Sequence, residues 1–435
     1  MSAIADGYLE NLLAGQPYLP PALPALRWIN NLRAEAVDRV GELTVPSPRD
    51  EAWRFTDISQ LTRSSFQRAQ TATTLRPVDI ERFDIAEAAN RLVFVDGQYA
   101  PQLSRTAIDC GVVVTHLAEG GEAHAALVES HLGRHAGFGN NVFAALNTAF
   151  LQDAALIIAP RNSAVAAPLH LLFIATQPGV ASYPRCLLVA QTGSAVTLIE
   201  DYVAMQETAY FTNAVTEISL AEGARVQHVR VQREGNEGFH IANCAVTLDR
   251  ASSYQSVSMA LGARLSRYDL KVLQAAEGAE CSIDGLALIA GRQLADTHTY
   301  IDHAQPFGVS RQLHKCIVGG AAHAVFNGKI MVRPGAQRTD SSQSSRNLLL
   351  SDRAHIDTQP QLEIFADDVK CNHGATVGQL NNEEVFYLTS RGLPDGVARK
   401  LLTYAFGAEI IARIPVASLR EQLAQAVMAQ TTDQP

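Results

Sequence analysis

Charge is thin in this chain. Asp, Glu, Lys and Arg make up only 18% of its 435 residues, and the formal net charge is −9. That balance leaves no broad cationic face for nucleic acid or an anionic membrane, so neither is expected as a partner. Arg333, Arg338 and Arg346 come nearest to a basic cluster. They read as solvated loop charges, with a local anion site as the alternative. Long apolar runs are missing too. The longest tight one, Ala154 to Ala159, is far short of the roughly 20 residues a spanning helix needs. The opening stretch, Met1 to Gln16, carries Asp6 and Glu10 and no basic start, so no secretory leader is expected and the chain is placed in the cytosol. The six cysteines (110, 186, 244, 281, 316 and 371) are scattered, with no Cys-x-x-Cys. Free thiols serving as small core hydrophobes are expected. Catalytic fingerprints are also absent. Asn327-Gly328-Lys329 lacks the phosphate-cradling loop of an ATPase, and no dinucleotide Gly-x-Gly-x-x-Gly, Gly-x-Ser-x-Gly or His-Glu-x-x-His occurs.

What is there is core-forming material: 47% of residues are hydrophobic. Length alone suggests about two to three domains, unless one core is drawn out along an axis. Leu26, Ile29, Leu32, Ala36, Val37 and Val40 recur at helical spacing after a Pro-rich linker, Pro17 to Pro24. Glu51 to Asp57 is dense in large residues and reads as a docking segment. Arg91 to Tyr99 reads as a strand entering a turn, Asn141 to Leu151 as a helix and Ala154 to Ala159 as a strand. From Leu169 to Leu388 short apolar stretches alternate with brief corners such as Ala221-Glu222-Gly223 and Arg333-Pro334-Gly335. No helix-length pattern separates them, which excludes an ordinary α/β sheet with helical crossovers. An antiparallel sandwich and a β-solenoid remain, and the small corner residues favour the solenoid. Helices return from Leu393 to Ile411, with Val397, Leu401, Leu402, Ala405, Phe406 and Ile410 on one side, and again from Ser418, where Ser418 and Glu421 have capping-box spacing.

The chemistry-bearing stretch is Pro360 to Gly378. Leu362 and Ile364 alternate as in a half-buried strand, Asp367-Asp368 ends the pattern, and Cys371 and His373 follow one residue apart. At strand spacing these two share a face. A thiol and an imidazole side by side suit a soft or borderline metal such as iron or zinc, but two ligands do not close a shell. Further ligands must come from elsewhere in the fold or from another subunit. The alternative is packing: a core thiol and a His bonded to a neighbouring carbonyl. His131 and His135, at i, i+4 around Gly133, have no placed carboxylate; His298 and His303 fall on opposite strand faces. Both pairs read as structural.

The motifs together resemble the SufD-type scaffold subunits of the SUF iron–sulfur cluster assembly machinery. The residues that carry the likeness are Ser310 to Lys315, Ala324 to Gly328, Asn347 to Leu350, Thr358 to Ile364, Ala366 to Cys371, His373 to Thr376 and Phe386 to Gly392. A collinear series of this length is far more specific than any one short motif. The resemblance implies a mainly β fold: a right-handed parallel β-helix core (89–388) between an N-terminal helical region (1–88) and a C-terminal helical region (389–435). It implies a non-enzymatic scaffold that pairs with the sister subunit SufB through the β-helix edge and docks the ATPase SufC on its terminal helices. Arg391, Val397, Leu401, Leu402 and Phe406 are the expected docking residues. The chain has Ser345 near the place of the sister's reactive Cys, and His373-Gly374-Ala375-Thr376 where the sister has His-Glu-Ala-Thr. In this the chain resembles the SufD type. His373 is then the expected ligand to a transient iron–sulfur cluster at the shared interface, with Cys371 a weaker candidate. The resemblance leaves open a flavin in the whole complex and a homodimer of the isolated chain.

Overall fold

A computed structural model describes residues 2–14, 24–69, 73–106 and 111–430. Most of the Pro-rich linker and Cys110 lie outside the described residues. Two parallel sheets face each other along the centre of the chain. The first runs through Ala155–Ala159, Arg185–Ala190, Phe211–Leu220, Phe239–Leu248, Leu265–Gln274, Leu294–His303, His323–Val332 and His355–Ile364. The second runs through Leu169–Ala175, Ala195–Ala204, Arg225–Arg233, Ser253–Ala260, Glu280–Ile289, Val309–Val318, Asp340–Leu349 and Lys370–Gln379. Successive strands of the chain alternate between the sheets. The result is a parallel β-helix of eight coils, which is how parallel strands exist here without helical crossovers. Leu265 pairs with Leu294 and Leu294 with His323, a step of 29 residues each time.

One corner of each coil is held by a left-handed residue whose N–H bonds the corner of the coil above. Gly223 donates to Arg250 O, Ala251 to Glu277 O, Gly278 to Pro306 O and Phe307 to Gln337 O, at 2.9 to 3.0 Å. All four have φ between 52° and 68°. Glycine adopts this region freely, whereas Ala251 and Phe307 do so at a cost the stacked hydrogen bonds offset.

In-register pairing stacks like positions, so the inside of the tube is a set of columns. Early coils fill it with apolar side chains, including Leu171, Leu198 and Val226, and with the stacked rings of Phe94, Phe173 and Tyr202 at 5.4 and 4.8 Å. Each such side chain adds roughly 1.5–3 kcal/mol of burial free energy. The N-terminal end is closed by the antiparallel strand Val113–His116, by Asn90–Val95, and by a helical layer. In that layer Trp28–Glu42 buries Ile29, Leu32, Ala36 and Val40, while Val37 is exposed. The helix Val142–Ala149 is buried along its whole length. No described helix is long and apolar enough to cross a membrane.

The C-terminal helices Asn382–Ser390, Asp395–Ile411 and Ala417–Gln430 follow the last strand. Ile410, Ile411, Leu419, Leu423 and Val427 pack on Leu286, Leu288, Leu313, Ile317 and Leu348 of the second sheet's outer face. A Cβ on Gly407 would lie 3.2 Å from Leu286 Cδ2, so glycine permits the close approach. The capping box expected at Ser418 does not form. Ser418 Oγ bonds the Glu87 carboxylate, and Glu87 Oε1 accepts from Ser418 N at 2.9 Å. A carboxylate from a distant segment thereby meets the helix N-terminus, where negative charge is favoured.

Candidate functional site

Cys371 and His373 lie on the last strand, Lys370–Gln379, and both continue inward-facing columns. Cys371 pairs with Ser341, and Ser341 with Ser310. His373 pairs with Gln343, and Gln343 with Gln312. The columns are polar over these coils. His303 Nε2 and Ser310 Oγ share a hydrogen bond at 2.9 Å, and Ser310 Oγ meets Ser341 Oγ at 2.7 Å. Gln343 Nε2 donates to Gln312 Oε1 at 2.7 Å, and Gln312 Nε2 to Thr299 Oγ1 at 2.8 Å. The interior toward the C-terminal end is thus hydrogen-bonded, as it also is around Glu200, which pairs with His228 at 3.2 Å and accepts from Thr216 Oγ1 at 2.6 Å.

No further coil covers this end. Lys370–Gln379 and His355–Ile364 are the outermost strands of their sheets, so both offer unpaired backbone edges. The same column position that buries Gln343 therefore leaves His373 exposed. Its ring makes no hydrogen bond or ion pair among the described residues, and both nitrogens are available. Cys371 differs. It is half-buried against the inter-sheet core, and burial pushes its thiol pKa up. A metal would first have to displace that proton. No third metal-binding side chain joins the pair among the described residues.

The other described cysteines are plain core residues. Cys186, Cys244, Cys281 and Cys316 are buried and unpaired, and burial pushes the last three up to about 12. His131 and His135 bond each other at 2.9 Å. His298 faces outward and pairs with Asp296 at 3.0 Å, whereas His303 is sealed inside the tube. A cleft of about 730 Å³ opens beside His298 on the first sheet's outer face, lined by Trp53, Arg267 and Lys329 among others. The Arg trio is dispersed: Arg333 pairs with Asp302, Arg338 with Asp368 and Arg346 with Glu409.

The expected one-sided stripe on Asp395–Ile411 is not one-sided. Val397 and Leu401 are 46% and 44% exposed, Leu402 and Phe406 are half-buried, and Ile410 is sealed against the sheet. Phe406 also covers Lys315, whose Nζ donates to the Phe406 carbonyl at 2.8 Å. Besides Ile410 and Ile411 the helix buries Ala398, Thr403 and Gly407, small residues that an apolar count overlooks. Arg391 is exposed and lies over the Tyr387 ring at 5.2 Å.

Sequence reasoning missed the most exposed aromatics. Phe386 and Tyr387 are 73% and 58% exposed on Asn382–Ser390, and Phe365 is 62% exposed at the end of the last coil. The signal was present. Adjacent residues of a helix cannot face the same way, and Val385 takes the buried position. Uncovered large aromatics of this sort are what an interaction surface carries.

The SUF system FeS cluster assembly SufBD core domain matches residues 173–406, and the SufBD protein N-terminal region matches residues 23–171. A SufBD family iron–sulfur cluster assembly protein of Synechocystis is 42% identical over 417 residues, covering 92% of this chain and 91% of that protein. The iron–sulfur cluster assembly protein SufD of Escherichia coli is 33% identical over 384 residues, covering 87% of this chain and 88% of that protein. The chloroplastic protein ABCI7 of Arabidopsis thaliana is 28% identical over 425 residues, 95% of this chain and 87% of that protein.

Proposed function

Because this chain belongs to the SufBD family of SUF-system iron–sulfur cluster assembly proteins, we propose that it is a scaffold subunit without an active site of its own, whose unfinished β-helix end is completed by a SufB-type sister. The observation that carries this reading is the exposed His373 imidazole beside two unpaired strand edges. Open edges add strands readily, and a related β-helix offers edges of the same pitch. Closing the seam surrounds His373 with the partner's side chains. Its nitrogen lone pair then serves iron that the complex handles as cargo, with thiolates supplied from across the seam. Imidazole replaces thiolate on one iron of some known iron–sulfur centres, so the two ligand types can share a cluster.

Cys371 is assigned a lesser part, since its half-buried, protonated thiol suits packing of the last coil. The ATPase of the system docks on the C-terminal helices, where Val397, Leu401, Phe386 and Tyr387 are uncovered. His373→Ala in the complex co-expressed with its SufB- and SufC-type partners tests the reading. The variant complex should assemble, while iron and acid-labile sulfide in the anaerobically purified material fall well below the native level. Native iron content would remove the role given to His373. A SufB-type partner that pairs equally well after Lys370–Gln379 is capped with edge prolines would remove the seam itself.

A further inference from the structure

We propose that His323, His355 and Asp357 form a binding site for one divalent first-row transition ion on the outer face of the first sheet. His323 opens the strand His323–Val332 and His355 opens His355–Ile364, and the register pairs them directly. Their rings lie side by side, with centroids 4.9 Å apart and planes tilted by 56°. Asp357, two residues beyond His355, shares its face. Both imidazoles converge on one carboxylate oxygen: Asp357 Oδ2 lies 2.8 Å from His323 Nε2 and 3.2 Å from His355 Nε2.

All three donor atoms lie within 4.8 Å of one another, and among the described residues no other group of three His, Cys, Asp or Glu does so. Metal–nitrogen and metal–oxygen bonds of about 2.0–2.2 Å hold neighbouring ligand atoms roughly 2.9–3.4 Å apart. The present separations need only small shifts to reach that. Two imidazoles and one carboxylate select borderline ions such as Fe²⁺, Co²⁺ or Zn²⁺ over Mg²⁺ and Ca²⁺, which want oxygen throughout. The site is accessible: the side chains of His323, His355 and Asp357 are 26%, 66% and 21% exposed. Further coordination positions stay open to water or an incoming donor.

The ligands bridge the last two coils, so a bound ion rivets the terminal coil to its neighbour. This site does not depend on the role proposed for His373, which lies on the opposite sheet. Co²⁺ titrated into the full-length chain after chelator treatment tests it. One equivalent should bind with visible d–d absorption and raise Tm. His355→Gln and Asp357→Asn should each weaken binding by more than about tenfold, with unchanged circular dichroism and unchanged metal-free Tm, whereas His373→Ala should bind as the native chain does. Absence of a saturable 1:1 site overturns the proposal. So does native affinity in both His355→Gln and Asp357→Asn, or loss of the ion with His373→Ala alone.

Discussion

His314 lies flat on Phe326 inside the tube, with ring centroids 4.5 Å apart and planes 11° from parallel. Gly285 makes room for it, since a Cβ there would come 2.3 Å from His314 Nδ1. Burial pushes the imidazoles of His314 and His303 down to about 4. In the unfolded chain they protonate near pH 6.5. The unfolded state therefore binds more protons between those values, and stability rises with pH across that window. The stabilisation is complete above about 6.5 and is lost as pH falls toward 4, on the order of 3 kcal/mol per group. Denaturant unfolding at pH 7.0, 5.5 and 4.5 should show the decline, and His314→Gln should make it shallower by that residue's share, since burial also lowers His131, His135, His170 and His240. A flat profile through this range would contradict the account.

Glu217 sits wholly inside the molecule. It meets Arg185 at 2.5 Å and accepts from the backbone N–H groups of Gly133, His135 and Ala136 at 2.9 to 3.0 Å. Burial alone would raise its pKa, but Arg185 and the three N–H donors outweigh this and hold it below the usual carboxylate value. Its contribution is present above that usual value and lost as pH falls through the lower folded one. Glu217→Gln leaves Arg185 buried without a counter-charge and should cost about 3–5 kcal/mol. An unchanged denaturation midpoint would show that the pair contributes nothing net.

The C-terminal helices should separate into two kinds of position. Leu419→Ala removes a fully buried side chain and should cost about 2–5 kcal/mol. Phe386→Ser and Leu401→Asp alter exposed side chains and should change stability by no more than about 0.5 kcal/mol. Size-exclusion chromatography with the co-expressed partners should nonetheless show weakened assembly for these two. Normal assembly in the double variant would place the docking surface elsewhere.

Gly320 holds a second corner of the coil at φ 65°, and a Cβ on it would lie 2.8 Å from Gly291 N. Gly320→Val combines an unfavourable backbone conformation with a clash against backbone. A loss of at least about 1–3 kcal/mol is expected. Thermal unfolding of the variant decides the matter, and a native Tm would mean the corner relaxes freely.

Much of this architecture was legible in the residues. The absence of helix-length segments between apolar stretches left few options besides a solenoid, and the shared face of Cys371 and His373 follows from strand spacing alone. The coil period was harder to read, because its left-handed corners carry Ala251, Phe307 and Arg338 as well as glycine. Those positions are set by hydrogen bonds between coils, which no local pattern records. The fate of Ser418 was hidden for the same reason: its carboxylate partner, Glu87, is 331 residues away. His355 and Asp357 showed their spacing, but His323 joins them only through the register. Nor could pattern tell that Gln343 is sealed and His373 uncovered at one column position, since that depends on where the stack stops.

That stopping point has a consequence for the cell. A tube left open at one end is a template for whatever strand arrives first, including another copy of itself. If the proposed sister subunit seals that end, synthesis of the two in near-equal numbers would limit pairing of the open edges with further copies.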